Sequence, residues 1–269
     1  MANNIGFGKF IDKISKQIKD SKFDTGLVLS GGAARGFAHA GAIKALEENN
    51  INADIVSGVS AGSIVGSFYC DGFSPEEIYD IFLKNKVFEF VNLKLRKHGL
   101  LDISGLKKVL EKNLRTKNIE NLPTPLIIAA TNLEKGLTTY FSEGKLVDLV
   151  LASSSIPVLF NPTTIDNITY VDGGVTNNFP VEPLKDKCNK LIGIHVNPLG
   201  PFDKNRGLLH IAANAFHLAI ASGIEEKKKL LDYFIEPSDL QSYTYYDVKH
   251  GKKMFQIGYK ETAKIIGGK

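Results

Sequence analysis

The segment IVSGVSAGSIVGSFYCDG, residues 55–72, decides how this chain folds. An apolar, β-branched run leads into Gly58-Val59-Ser60-Ala61-Gly62, and small residues follow as far as Cys70. A strand that becomes a helix within so few residues leaves almost no space for side chains beside the turn. The two glycines therefore predict a tight strand-to-helix turn. Such a turn would hold the hydroxyl of Ser60 above a sheet, at the positive end of a helix dipole.

Two interpretations of this turn stay open. A serine at the centre of G-x-S-x-G between a strand and a helix is typical of a nucleophile. Gly58 and Gly62 would also suit a helix that only packs closely on the sheet, with no chemistry at Ser60. The strand-to-helix setting favours the nucleophile. A nucleophile requires a base and hydrogen-bond donors for an oxyanion, which other parts of the chain must supply.

The residues before and within this segment repeat one order of strand and helix. TGLVLS at 25–30 has the pattern of a buried strand, and apolar residues from Phe37 to Leu46 follow near helical spacing. Residues 53–59 and 61–70 supply the second strand and helix, so the order implies an α/β fold with a parallel sheet.

Other elements follow from periodicity and caps. Ser74, Pro75 and Glu77 predict a capped helix start, and Ser104 predicts the cap of another helix. We predict further strands at 125–131, 137–142, 163–171 and 190–196, and helices near 145–154, 205–232 and 254–265.

The composition favours one domain. The chain has 269 residues, 43% of them hydrophobic, and no linker, repeat or low-complexity tract divides it. The formal net charge of +4 is modest and the basic residues are interspersed with acids, so nucleic acid is not an expected partner. Cys70 and Cys188 lack the paired spacing of a metal or redox site, and we expect both to be core thiols.

The N-terminal residues 1–24 form a segment distinct from the domain predicted at 25–269. Phe10, Ile11, Ile14 and Ile18 make an apolar stripe with lysines beside it, which fits a helix on anionic lipid and equally a helix packed on its own domain. The lysines argue against a signal peptide, and the longest uncharged runs are shorter than a bilayer span. We therefore expect a soluble, cytoplasmic protein, with peripheral membrane contact as an open alternative.

LSGGAARG at 29–36 is a candidate oxyanion loop. Gly31 and Gly32 lie between a strand and a helix start, where backbone N–H groups can point at a negative charge. The competing interpretation is a phosphate loop. It is weaker, because Ala33 stands where the dinucleotide spacing needs glycine, and no Walker-type lysine follows.

None of the histidines is marked by its local sequence as the base. His195, at a strand end, is the most notable of the six, which are His39, His98, His195, His210, His217 and His250. Asp172, in YVDGGVTNNFP at 170–180, follows an apolar strand and precedes two glycines, so its carboxylate would lie at a strand end. A shielded carboxylate can take a proton from serine directly. A turn aspartate bonded to its own backbone is the alternative.

The ordered set SGGAARG, GVSAGS and VDGG resembles the patatin-like phospholipase family, and the similarity covers most of residues 25–200. The resemblance implies a single-domain, three-layer α/β/α fold with a mainly parallel sheet. It also implies Ser60 as nucleophile, Asp172 as base, and an oxyanion hole at Gly31, Gly32 and Ala33 with Arg35 nearby. The family commonly has a third glycine where this chain has Ala33.

The implied activity is hydrolysis of a phospholipid or another fatty acyl ester, without metal or cofactor. Phe37, Ile64, Val65, Leu159 and Phe160 are candidates for an acyl cleft or, equally, for the core. Transfer of the acyl group to another acceptor, and a catalytically silent lipid-binding protein on the same fold, stay open. The sequence indicates neither the lipid class nor the oligomeric state.

Overall fold

The computed structural model describes residues 23–85, 87, 103–200, 218, 223–245 and 247–268. One eight-stranded sheet forms the centre. Its strands are β1 (Phe23–Leu29), β2 (Ile55–Val59), β3 (Leu126–Asn132), β4 (Leu137–Phe141), β5 (Thr163–Ile165), β6 (Ile168–Asp172), β7 (Cys188–Ile194) and β8 (Tyr233–Ile235). The α-helices are α1 (Phe37–Glu48), α2 (Ala61–Cys70), α3 (Pro75–Lys84), α4 (Ser104–Asn113), α5 (Leu146–Ser154), α6 (Ile224–Lys228) and α7 (Gly251–Gly267).

The sheet is mainly parallel. β1 lies in the middle and pairs in parallel with β2 and β7, and β3 and β8 extend the parallel part on the two sides. The antiparallel pairs among the described strands are β3 with β4, β3 with β6, and β5 with β6. The predicted α/β fold is confirmed.

Alternate residues of the strands enter two separate cores. In β1, Leu27 and Leu29 pack on one face with residues of α1, α2, α5 and α7, whereas Val28 packs on the other face with Phe179 and Ile224. The sequence of a strand that is buried on both faces is a nearly continuous run of apolar residues, and TGLVLS has this pattern. The sheet is therefore the middle layer of a three-layer arrangement.

Several boundaries differ from the predictions. The predicted strand 163–171 is two strands, β5 and β6, joined at Asp166 and Asn167, whose φ values of 49° and 63° suit a two-residue hairpin turn. Ser104 is the first residue of α4, so the N-cap position belongs to Ile103 and not to Ser104 as predicted. The described part of the predicted helix 205–232 contains the short helix α6, and β8, which has no counterpart among the predicted strands, begins directly after that range.

Other predictions hold or fall outside the described part. Ser74 and Glu77 form the predicted capping box at the start of α3. Cys70 is buried and Cys188 is half-buried, and neither forms a disulfide. The proposed N-terminal helical segment lies outside the described residues except for its last two, Phe23 and Asp24, which begin β1. No helix among the described residues has both the length and the apolar character needed to cross a membrane.

The pairing around β3 positions the site. Ala129 pairs with Val59 of β2 and with Tyr140 of β4, so these strands lie on opposite edges of β3. Ala130 pairs with β4 and with Asp172 of β6, so β6 lies on the same edge as β2. β2 is parallel to β3 and β6 is antiparallel, and their C-terminal ends therefore point at each other.

Candidate active site

Ser60 occupies the strained turn that the sequence predicts. Its φ of 51° and ψ of −121° are values that side-chain-bearing residues rarely adopt. A Cβ on Gly58 would lie 2.7 Å from the carbonyl oxygen of Gly62, and a Cβ on Gly62 would overlap the carbonyl oxygen of Leu29. Both glycines are therefore required by the close approach of backbone segments.

The hydroxyl of Ser60 donates a 2.6 Å hydrogen bond to Oδ2 of Asp172. Only 7% of Ser60 and 6% of Asp172 are exposed. The other carboxylate oxygen, Oδ1, accepts a 2.8 Å hydrogen bond from the N–H of Gly174. Asp172 does bond its own turn, as the alternative interpretation held, and its second oxygen is directed to the serine at the same time.

Burial raises the pKa of Asp172 to about 6, although the hydrogen bonds from Ser60 and Gly174 oppose this shift by stabilising the charged form. A carboxylate with such a pKa is ionised near neutral pH. It is also a better proton acceptor than an exposed aspartate, because the energetic difference between its two protonation states is smaller at that pH.

A run of serines, Ser153–Ser155, supports both residues from α5. Ser153 Oγ accepts a 2.8 Å hydrogen bond from the N–H of Ser60 and donates a 2.7 Å hydrogen bond to the carbonyl of Ala129. The carbonyl of Ser155 accepts a 2.9 Å hydrogen bond from the N–H of Asp172. The sequence interpretation assigned no role to these serines, although three adjacent serines at the end of an apolar helix are an available signal.

The glycine loop lies beside Ser60, but not all of its amides are free. A Cβ on Gly31 would lie 3.2 Å from Cβ of Ser60. The N–H of Gly31 donates to the carbonyl of Asn178 at 3.2 Å, so this amide is already used. The expectation that Gly31 itself donates to an oxyanion therefore conflicts with this arrangement.

The carbonyls of the loop define where the next amides point. The Gly31 carbonyl accepts hydrogen bonds from Ser30 Oγ at 2.9 Å and Asn197 Nδ2 at 2.6 Å. The Gly32 carbonyl accepts from the N–H of Arg35 at 3.0 Å. In a trans peptide the N–H points away from the carbonyl. The N–H groups of Gly32 and Ala33 thus face away from these partners, and neither has an acceptor within the described part of the chain.

Ala33 takes the position where the family commonly has glycine. Its φ of 47° lies in the left-handed region, which costs a residue with a Cβ about 1 kcal/mol. The loop therefore has a left-handed backbone conformation at residue 33, which glycine adopts without strain and alanine adopts at a cost in free energy. Ala33 and Ser60 both line the same apolar cleft.

Arg35 has a different place from the one expected. Its guanidinium donates to the carbonyl of Tyr243 at 2.8 and 3.1 Å and to that of Val196 at 3.5 Å, and it stacks 4.6 Å from the centre of the Tyr245 ring. These contacts are with backbone and aromatic groups of the C-terminal part of the chain. Arg35 anchors the loop there, and the structure gives it no direct role as an oxyanion donor.

Asn178 and Asn197 are two further site residues that the sequence interpretation missed. The side-chain oxygen of Asn178 lies where Cβ atoms on Gly31 and Gly174 would be, so it fills the space between the glycine loop and the aspartate turn. Asn178 belongs to the quoted YVDGGVTNNFP segment, which was a usable signal. Asn197 follows β7 with no motif around it.

The described histidines are His39, His195 and His250, and His250 packs its ring edge-on against Tyr243. His39 bonds the carbonyl of Ser30 at 2.8 Å, and its burial lowers the pKa to about 4, so it is neutral. His195 Nδ1 lies 2.7 Å from Glu236, and its ring stacks on Phe234. His98, His210 and His217 lie outside the described residues. No imidazole among the described histidines contacts Ser60.

An apolar cleft opens beside Ser60. Ile64 and Phe160 line it as expected, whereas Phe37 and Val65 are buried in the core and Leu159 is half-buried outside the lining. The lining residues are Ala33, Ser60, Ala61, Ile64, Val87, Ile103, Leu106, Ser154, Ile156 and Phe160.

Comparison with known proteins shows which family the chain resembles. Residues 27–185 match the family model described as patatin-like phospholipase. The chain is 31% identical to a probable lipid hydrolase of Invertebrate iridescent virus 6, over 65% of this chain and 67% of the viral protein. It is 25% identical to a lysophospholipase of Kluyveromyces lactis, over 87% of this chain but only 18% of that much longer protein.

Among solved structures, VipD from Legionella pneumophila aligns with a TM-score of 0.54 and 17% identity, covering 91% of this chain and 67% of VipD. That likeness shows a shared fold. The family match spans more than half of the chain and includes the glycine loop, the serine turn and Asp172. The chain therefore belongs to the patatin-like phospholipase family and, with it, to the carboxylic ester hydrolases.

Proposed function

We propose that the protein is a serine lipid acyl hydrolase in which Ser60 is the nucleophile and Asp172 is the general base. The observation that carries this proposal is the 2.6 Å hydrogen bond from Ser60 Oγ to a buried carboxylate. The serine sits in a strained turn, which is a common property of residues held for chemistry. The relatives named as lipid hydrolase and lysophospholipase support a lipid ester as substrate.

In the first half-reaction, Ser60 Oγ attacks the acyl carbonyl carbon while its proton moves to Oδ2 of Asp172. The tetrahedral intermediate carries a negative charge on the former carbonyl oxygen. It collapses when the bond to the alcohol breaks, and Asp172 returns the proton to that leaving oxygen. In the second half-reaction, water attacks the acyl-serine while its proton moves to Asp172. The bond between the acyl carbon and Ser60 Oγ then breaks, Asp172 returns the proton to Oγ, and the fatty acid leaves.

The Gly32 and Ala33 amides are the proposed oxyanion donors. They are the loop amides without an acceptor among the described residues, and the start of α2 next to Ser60 adds the positive end of a helix dipole. Asn197 and Ser30 hold the Gly31–Gly32 peptide in this orientation through the Gly31 carbonyl. The apolar cleft is the proposed binding site for the acyl chain.

A fluorophosphonate probe tests the nucleophile. We expect labelling of the wild-type protein and none of Ser60→Ala. Ser67→Ala, which removes another buried serine hydroxyl from α2, is the matched control and should label normally. Absence of labelling in the folded wild-type protein would contradict the proposal and would favour a lipid-binding role.

Released products identify the substrate and separate hydrolysis from acyl transfer. Free fatty acid and lyso-lipid are measured from defined phospholipids, lysophospholipids and simple esters, with and without an added alcohol acceptor. Hydrolysis predicts free fatty acid as the main product in both conditions, and a dominant new ester would show a transferase.

We further propose a cytoplasmic protein that contacts membranes peripherally. Flotation with liposomes of the whole chain and of a chain without residues 1–22 tests whether the N-terminal segment contributes. If both chains floated equally, residues 1–22 would not contribute to membrane binding.

A further inference from the structure

Val158 has an unusual backbone and an unusual exposure. It is 82% exposed, more than any other large apolar side chain of the described residues. Its φ is 71°, in the left-handed region that a β-branched residue almost never adopts. The conformation costs free energy, and it directs an apolar side chain into water.

Val158 is the centre of an apolar turn, Ile156–Leu159. The four residues are Ile, Pro, Val and Leu, and each is at least partly exposed. Only Val158 is fully exposed, and the partly exposed Ile156, Pro157 and Leu159 surround it with apolar surface, which is unfavourable in water unless that surface has a function. No charged residue occurs between Leu149 and Ile165, so no charge has to leave water if this turn enters an apolar phase.

The apolar turn is held in place at the mouth of the cleft. The N–H groups of Leu159 and Phe160 donate to the Ile156 carbonyl at 3.2 and 2.9 Å, which closes the turn. Ile156, the first residue of the turn, and Phe160, the residue after it, line the cleft beside Ser60. Directly before it, the carbonyl of Ser155 is bonded to the N–H of Asp172. The exposed tip is thus continuous with both the acyl cleft and the proposed catalytic pair.

We propose that the apolar turn inserts into the surface of a phospholipid bilayer, with Val158 as its tip, and joins the bilayer to the cleft so that an acyl chain reaches Ser60 without crossing water. The inference rests on the proposed lipid hydrolase function. The absence of charge in the turn specifies the kind of surface, because a contact made by apolar groups alone does not require anionic lipid.

The test uses Val158→Asn. Asparagine tolerates the left-handed conformation, so the variant should fold at least as stably as wild type while losing the apolar tip. Leu230→Asn is the matched control. Leu230 is 39% exposed and precedes β8, which runs parallel to the central strands. Leu230 therefore lies near the N-terminal ends of the parallel strands, whereas Ser60 lies at their C-terminal ends.

Two substrates are compared, phosphatidylcholine vesicles and a water-soluble short-chain nitrophenyl ester. We expect Val158→Asn to hydrolyse the vesicles about tenfold more slowly, the effect of losing one buried valine side chain, and the soluble ester within about twofold of wild type. Leu230→Asn should match wild type on both. In a Ser60→Ala background, Val158→Asn should also reduce flotation with phosphatidylcholine vesicles.

Unchanged vesicle hydrolysis and flotation in Val158→Asn would overturn the inference. An equal loss on both substrates would also overturn it, since the turn would then act on the geometry of the site. If wild type hydrolyses neither substrate, the proposed function fails, whereas the flotation comparison still decides whether the turn binds lipid.

Discussion

Ser60 Oγ and Asp172 Oδ2 lie 2.6 Å apart although the two residues are 112 positions apart in the chain. They meet because β2 and β6 approach each other along one edge of β3, where Val59 pairs with Ala129 and Asp172 pairs with Ala130. The next residue after β2 is Ser60. The contact is therefore a consequence of strand register, and the hairpin of β5 and β6 is what reverses the chain so that Asp172 arrives from the opposite direction.

The pH dependence of activity should report the environment of Asp172. Its pKa is raised to about 6 by burial, and only the ionised carboxylate can accept the proton of Ser60. We expect kcat/KM to be constant above about pH 7 and to fall about tenfold per pH unit below about pH 6. Initial rates on a soluble ester from about pH 4.5 to about pH 8.5 measure this. If kcat/KM instead began to fall only near the ordinary pKa of aspartate, this prediction would be contradicted.

Replacing the same carboxylate should stabilise the protein at neutral and alkaline pH. Because the pKa of Asp172 is raised from 3.8 to about 6, wild type loses up to about 3 kcal/mol of folding free energy as the pH rises through this range. Asp172→Asn carries no charge to bury and should show a higher Tm than wild type at about pH 8, with the gain disappearing near about pH 4.

The exposed Asp166→Asn is the control for this comparison, and its Tm should follow wild type at both pH values. A Tm for Asp172→Asn equal to that of wild type at alkaline pH would show that the buried carboxylate is compensated by its hydrogen bonds.

The strain at Ser60 should be visible in two variants that both lose the hydroxyl. Ser60→Gly should be about 1 kcal/mol more stable than Ser60→Ala, because glycine adopts a φ of 51° without a Cβ clash. At Ser63, inside α2, the order should reverse, with glycine about 1 kcal/mol less stable than alanine. Denaturant unfolding of the four variants measures both differences, and the same order at both positions would rule out strain at Ser60.

Ser153 should affect activity through the position of Ser60. Ser153→Ala leaves the N–H of Ser60 without its acceptor, and we expect a loss of about 1–3 kcal/mol of stability and about a tenfold lower kcat. Ser67→Ala removes a buried hydroxyl that bonds the Ser63 carbonyl in the same helix, away from Asp172. The control should keep the wild-type kcat, and a similar kcat for both variants would remove Ser153 from the site.

Asn197 should act on the transition state and little on substrate binding. Without the 2.6 Å hydrogen bond from Asn197, the Gly31 carbonyl keeps only the hydrogen bond from Ser30, so the Gly31–Gly32 peptide is held less firmly. We expect kcat of Asn197→Ala to fall about tenfold with KM nearly unchanged. A trifluoromethyl ketone inhibitor should weaken in parallel with kcat/KM. Asn113→Ala loses a comparable bond to the Val109 carbonyl in α4 and should behave as wild type. A higher KM at constant kcat would contradict this role.

Local features were predictable because local forces produce them. The turn around Ser60, the capping box of Ser74 and Glu77, and the alternation of strand and helix each depend on a few adjacent residues. The hairpin at Asp166 and Asn167 was also within reach, since two residues that tolerate positive φ stand between two β-branched runs. The predicted single strand 163–171 instead joins both runs across this turn.

The oxyanion loop shows where local reasoning stops. Its glycines identify the loop, but the amides available to a ligand depend on acceptors far away in the chain. Asn178 takes the Gly31 amide, and Asn197 orients the next peptide. Arg35, which belongs to the loop in sequence, donates hydrogen bonds to the Tyr243 carbonyl. The roles of Ser60, Asp172, Gly32 and Ala33 in catalysis stay predictions until the variants are measured.

The sequence by itself determined the strained serine turn, the parallel α/β fold and the acidic residue at a strand end, because backbone sterics and hydrophobic periodicity act over short distances. Only the tertiary structure decided that Asp172 faces Ser60, that burial raises its pKa, and that Ser153 and Asn197 support the site. These properties arise from strand register and from exclusion of water, and both depend on segments that come together only when the whole sheet is formed.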